Sequence, residues 1–126
     1  MAIKSINLVW VSVHDFPAAI QFYRDILGLK VHEINENYGW AEFSGQEGGA
    51  LLGVAMTRIE ALIQSGQNGI VTFTVDNIMK TKADLIQKGV RMVGEIEEVP
   101  DLVKMQLFVD VSGNHAQLVE LLQKED

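Results

Sequence analysis

Hydrophobic spacing along the chain switches between two periods, and it does so in the same order twice. Residues 6–13 read as a strand with two distinct faces: Asn7, Val9, Val11 and Val13 on one, Ile6, Leu8, Trp10 and Ser12 on the other, because successive strand side chains point to opposite sides. A strand apolar on both faces is either covered on both or lines a cavity on one. The spacing then becomes helical, with Ala19, Ile20, Tyr23, Ile26 and Leu27 forming one apolar stripe. Asp15 is suited to accept the free amide protons of the first turn, Pro17 sits where its missing N–H costs nothing, and Gly28 fits the left-handed residue that ends a helix. The second copy begins at Val75, with Asn77 in the capping position, a helix from Ile78 to Lys88 and Gly89 as the stop. It is one residue shorter between valine and glycine. A repeat of about half the chain means two equivalent modules, since a solenoid needs three or more.

The remaining segments complete each module. Leu29 to Asn35 reads as a strand, Glu36-Asn37 as a turn, Tyr38 to Ser44 as a strand, Gly45 to Gly49 as a flexible loop and Ala50 to Thr57 as a strand. Arg58 to Asn68 is a connector in which Ile59, Leu62 and Ile63 suit one short helix, broken by Ser65 to Gly69. Strands follow at Ile70 to Val75, Val90 to Ile96, Val103 to Asp110 and His115 to Leu122, with an acidic turn at Glu97 to Asp101, a tight turn at Val111 to Asn114 and a polar tail. The expected fold is α+β: two tandem βαβββ modules forming a cupped mixed sheet with helices on its convex side. Module one covers about residues 1–57, the connector 58–68 and module two 69–126, within one domain. Neither half buries both sheet faces alone, so the halves associate. The concave side then holds Leu8 and Trp10 from one half and Ile70, Thr72 and Thr74 from the other. A cupped sheet open on one side is a natural ligand pocket.

Composition narrows the function. At 126 residues and 48% hydrophobic content the chain supports a real core and is not disordered. It contains no cysteine, which removes disulfides, thiolate metal sites and cysteine nucleophiles. The N-terminus leads straight into a strand with no signal-peptide pattern, and no apolar run approaches the roughly 20 residues of a membrane span; a cytoplasmic location is expected. A net charge of −7 argues against nucleic acid or an anionic membrane as partner. It suits a cationic ligand, although ordinary solubility explains it equally well.

Two stretches carry a resemblance. Val13-His14-Asp15-Phe16 with Phe22-Tyr23 and Leu27-Gly28-Leu29, and the later run from Asp110 through Gly113-Asn114 to Glu120, resemble the opening and closing signatures of the vicinal-oxygen-chelate superfamily. That group holds glyoxalase I, extradiol dioxygenases, and fosfomycin- and bleomycin-resistance proteins. In its enzymes the resemblance implies a divalent metal in the cup. The matching positions here are Leu8, about Gly53, Ile70 and Gln117. Three of these offer no side-chain donor and glutamine is a weak neutral ligand, so no metal and no cofactor is expected. A relocated site built from His115, Gln117 and Glu42 is the alternative. Isomerase, thiol-transfer and ring-cleavage chemistry all lose their electrophile without a metal, and no serine has an identifiable histidine–carboxylate relay.

The resemblance therefore points to the metal-free, bleomycin-resistance-like members, which sequester a drug at a dimer interface. The expectation is a homodimeric small-molecule binder for an aromatic or cationic antibiotic-like ligand. Its ligand-binding set is Leu8, Trp10, His14, Trp40, Glu42, Phe43, Ile70, Thr72, Phe108, His115 and Gln117. Aromatic residues in this set suit stacking, and each of them is equally suited to core packing. His32 reads as solvent-exposed. Two other readings stay open: a glyoxalase-like lyase or isomerase, metal-free or with a relocated site, and a cup filled as hydrophobic core by Leu8, Trp10 and Ile70.

Overall fold

The structure, a computed structural model, describes residues 7–57, 64–66 and 70–122. The helix suggested for the connector by Ile59, Leu62 and Ile63, the strand start at Ile6 and the polar tail lie outside those residues. The elements are β1 (Leu8–Val13), α1 (Phe16–Gln21), β2 (Lys30–Asn35), β3 (Trp40–Gly45), β4 (Gly48–Met56), β5 (Val71–Thr74), α2 (Ile78–Gln87), β6 (Met92–Val99), β7 (Val103–Val109) and β8 (His115–Leu121). They form two four-stranded sheets in the orders β1-β4-β3-β2 and β5-β8-β7-β6. In each, the first strand pairs in parallel with the last and the other pairs are antiparallel. This is the expected α+β arrangement of two βαβββ modules.

Local signals act as the sequence implies. The Asp15 side chain accepts from Ala18 N–H at 3.0 Å and Asn77 from Lys80 N–H at 3.0 Å, and Gly28 and Gly89 take φ of 72° and 87°. Three details differ. The first helix passes at Phe22 into a π-helical turn, Phe22–Ile26, in which Leu27 N–H bonds the Phe22 carbonyl five residues back. Glu97, Glu98 and Val99 belong to β6, paired with Met105, Lys104 and Val103; the turn follows them, with Asp101 at φ 67°. The glycine-rich loop is a tight hairpin, with Gly45 paired to Gly48 and β4 starting earlier than its apolar run.

One face of each sheet is closed by its helix. Val11, Val13, Ala41, Phe43, Leu52 and Val54 meet Phe16, Ala19, Ile20 and Tyr23, while Phe108, Ala116 and Leu118 meet Ile78 and Leu85; all belong to one hydrophobic cluster. Phe43 and Phe108 are 0% exposed. Both have their parity on the helix side, where burial of a large ring is worth most, so neither is on the face that carries Trp10 and Trp40; Phe43 also borders the cleft between the modules.

The two modules are joined by a buried polar hub. Asp110 Oδ1 accepts the N–H groups of Ser112 and Asn114, both at 2.8 Å, and Oδ2 accepts the Tyr23 hydroxyl at 2.8 Å and Asn114 Nδ2 at 3.0 Å. Asn114 Nδ2 also donates to the Ser12 carbonyl at 2.7 Å, and Ser112 Oγ accepts the His14 N–H at 3.2 Å. The turn before β8 is thus fastened to the end of β1 and to the first helix. Burial first, then the neighbouring Asp110 charge and hydrogen bond, push the Tyr23 hydroxyl well above its ordinary value of 10.

A raised phenol value means that this pair's contribution is complete below about pH 10 and is lost as pH climbs toward the folded-state value. Tyr23→Phe should lower stability by about 1–3 kcal/mol at neutral pH and show a shallower decline than the parent above about pH 10. Denaturant unfolding at several pH values reads both effects. Equal stability of the two proteins at neutral pH would contradict the role given to this hydrogen bond.

Candidate functional site

The face of module one turned away from its helix carries a row of side chains across four strands. Register sets it: Trp10 on β1 lies opposite Gly53 on β4, and Gly53 lies opposite Glu42 on β3. On β2 the register slips between Val31 and Glu33, which face Phe43 and Glu42 respectively. His32 is the extra residue of a β-bulge, a device that re-aims a side chain out of strict alternation. The result is a hydrogen-bonded trio. His32 Nδ1 lies 2.9 Å from Glu42 Oε1, and Trp40 Nε1 donates to Glu42 Oε2 at 2.9 Å. The Glu42 side chain is 19% exposed and that of His32 57%.

Gly53 explains how Trp40 fits. A Cβ built there would sit 2.5 Å from Trp40 Cη2, 2.8 Å from Cζ2 and 3.0 Å from Leu8 Cδ1. The indole therefore lies across the glycine, with Leu8 beside it. Leu8, Trp10 and Trp40 are half-buried. This bears on the metal implied by the resemblance. Of the four corresponding positions, Leu8 and Gly53 are filled with hydrocarbon and ring, and Gln117 supplies one amide oxygen, which accepts from Thr72 Oγ1 at 3.1 Å. The residues do not fit a metal ion. Nor does the alternative trio assemble: Glu42 is engaged on sheet one, whereas His115 and Gln117 are on β8 of sheet two. Among the described residues no three His, Asp or Glu side chains are placed to hold a metal ion.

The other expected site residues are dispersed. His14 is exposed at the end of β1, with its backbone N–H on Ser112. Ile70 is 54% exposed and Thr72 is exposed; both line a cleft of about 1240 Å³ between the modules, walled also by Val9, Leu29, Leu52 and Lys88. Ile70 does not fill a common core with Leu8 and Trp10. His115 is exposed on β8. The structure thus brings together Leu8, Trp10, Trp40 and Glu42 from the expected set and adds His32, which alternation along β2 did not reveal. The only sequence signal for His32 is its lying ten residues before a glutamate across a short hairpin.

The notch makes a sharp prediction. Gly53→Ala should expel the Trp40 ring from β4, red-shift tryptophan emission and cost about 1–3 kcal/mol of stability, as for other overpacked sites. An unchanged emission spectrum would contradict the packing described.

Comparison with known proteins agrees with the fold. An antibiotic binding protein, TnmS3 from Streptomyces sp. CB03234, superposes with a TM-score of 0.77 at 22% identity, covering 96% of this chain and 98% of that one. A member of the glyoxalase/bleomycin resistance protein/dioxygenase superfamily from Sphaerobacter thermophilus gives a TM-score of 0.79 at 20% identity over 94% and 98% of the two chains. Lactoylglutathione lyase from Agrobacterium tumefaciens gives 0.71 at 17% identity over 95% and 96%. At these identities the likeness is one of fold. No curated protein sequence matches the chain. The family model for the Glyoxalase/Bleomycin resistance protein/Dioxygenase superfamily matches residues 5–118. The chain belongs to that superfamily.

Proposed function

We propose that the protein binds a small, flat aromatic molecule on the open face of module one, without a metal ion, as a sequestering protein of the bleomycin-resistance kind. One observation carries this reading: two half-buried indoles, Trp10 and Trp40, share a row with a glycine notch and a fixed carboxylate, Glu42. Rings of this kind offer a large rigid contact area at low entropic cost, with offset stacking adding about 0.5–1.5 kcal/mol per pair. Glu42 and the net charge of −7 favour a neutral or cationic ligand over an anion. The antibiotic-binding neighbour adds support from its fold. A homodimer belongs to the same reading, since β1 and β2 are the edge strands of one sheet and β5 and β6 of the other among the described residues, and Val9 and Val31 expose 42% and 45% of their surface. So does a cytoplasmic location. For the metal-bearing form of the lyase alternative, the described residues offer no donor set to hold the ion that such chemistry uses.

Proflavine, a flat cation, is the probe for this role, with naphthalene-2-sulfonate as its anionic counterpart. Fluorescence titration should show saturable proflavine binding and weaker binding of the sulfonate. Trp40→Ala should weaken proflavine about tenfold or more while the protein stays folded, the loss of one stacking partner corresponding to about 1.4 kcal/mol. Proflavine affinity unchanged in both Trp10→Ala and Trp40→Ala would overturn the proposal.

A further inference from the structure

The trio at the end of the row specifies more than an aromatic surface. A carboxylate only accepts hydrogen bonds. Both Glu42 oxygens are engaged, Oε2 by the Trp40 indole N–H and Oε1 by His32 Nδ1. His32 Nδ1 must therefore carry the hydrogen, and in the neutral ring this leaves Nε2 as an acceptor, without a partner among the described residues and on a side chain 57% exposed. A carboxylate that fixes a histidine's tautomer and ring orientation through one nitrogen is a recurrent arrangement where the other nitrogen must accept something. The bulge has the same sense. Under strict alternation β2 would place one residue opposite Glu42, whereas here both His32 and Glu33 fall against it. One carboxylate thus holds an acceptor nitrogen and an indole ring side by side.

We propose that His32 Nε2 is the acceptor for an acidic hydroxyl carried by the aromatic ligand, so that the site takes phenol-class molecules, ring against the indoles and O–H toward His32. This rests on the binding role proposed above for the same face. If the proton transfers, it moves from the ligand oxygen to Nε2, leaving a phenolate and an imidazolium whose charge Glu42 offsets. Glu42 is then a positioning residue and His32 the contact.

Two measurements on the full chain test this. Nitrogen-15 NMR of the imidazoles at about pH 8, where an ordinary imidazole is neutral, should find His32 as the Nδ1–H tautomer. In Glu42→Gln the amide N–H donates to Nδ1, and His32 should become the Nε2–H tautomer. At the same pH, tryptophan quenching compares 2-naphthol with 2-methoxynaphthalene, which differ in the hydroxyl hydrogen. The parent should bind the naphthol about tenfold more tightly, an effect of the size of one good hydrogen bond. That preference should vanish in Glu42→Gln and in His32→Phe. Equal affinity of the parent for the two compounds, or an Nε2–H tautomer in the parent, would overturn the assignment and leave aromatic binding standing. Failure of both compounds to bind would remove the aromatic-binding role itself and this assignment with it.

Discussion

The Asp110 carboxylate is the constraint on which the rest of the molecule depends. It is 5% exposed and accepts four hydrogen bonds, two from its own turn, one from Asn114 and one from Tyr23 in the other module. A buried carboxylate is costly unless its lone pairs are met, so these donors are held together or lost together. Because Asn114 also donates to the carbonyl of Ser12 and Ser112 accepts from His14, the same cluster fixes the end of β1. The hydrophobic cluster beneath both helices supplies bulk stabilisation without direction; the hub supplies orientation. It also gives a physical reason for the Asp110–Asn114 run. Asp110 is the acceptor, Ser112 and Asn114 are donors at the right reach, and Gly113 takes φ 84°, which a side chain tolerates poorly.

A firmly held β1 is what makes the open face of module one a defined surface. Trp10 is on that strand, and across the sheet the row ends in a trio of mutually satisfied polar groups. Its parts are interdependent in a simple way. Gly53 leaves room for the Trp40 ring, the ring directs its N–H at Glu42, and Glu42 orders the imidazole that the bulge delivers. Polar groups arranged so that each has its partner are preorganised, and such a surface loses little freedom on binding. The walls of the inter-module cleft carry no comparable trio among the described residues: the expected residues that reach it are Ile70, Thr72 and the fully covered Phe43.

Much of the fold was readable from spacing. The change from strand to helix period, the caps at Asp15 and Asn77 and the stops at Gly28 and Gly89 all depend on short-range chemistry, and short-range chemistry is written in consecutive residues. The site was less readable, for a physical reason. β3 carries Trp40 and Phe43 on opposite parities, so its pattern is apolar on both faces and does not say which face the helix covers; Phe108 on β7 poses the same problem. The side is decided by α1 and α2, through tertiary packing. His32 was hidden differently, because a bulge breaks the alternation on which a strand reading relies. Glu97 and Glu98 misled in the opposite sense: acidic residues suggest a turn, yet on an exposed edge strand they cost little and discourage unwanted pairing.

Leu8, Gly53 and Ile70 stand where the resemblance to the superfamily's enzymes implies metal ligands, and the binding proposed for this member runs through indoles and a histidine–carboxylate pair instead. Metal analysis of protein purified without a histidine tag, with the melting temperature followed as divalent ions are added, tests that claim most directly. Sub-stoichiometric metal and a melting temperature insensitive to each ion are the predicted result. One equivalent of a divalent ion, or a clear rise in melting temperature with one of them, would contradict it.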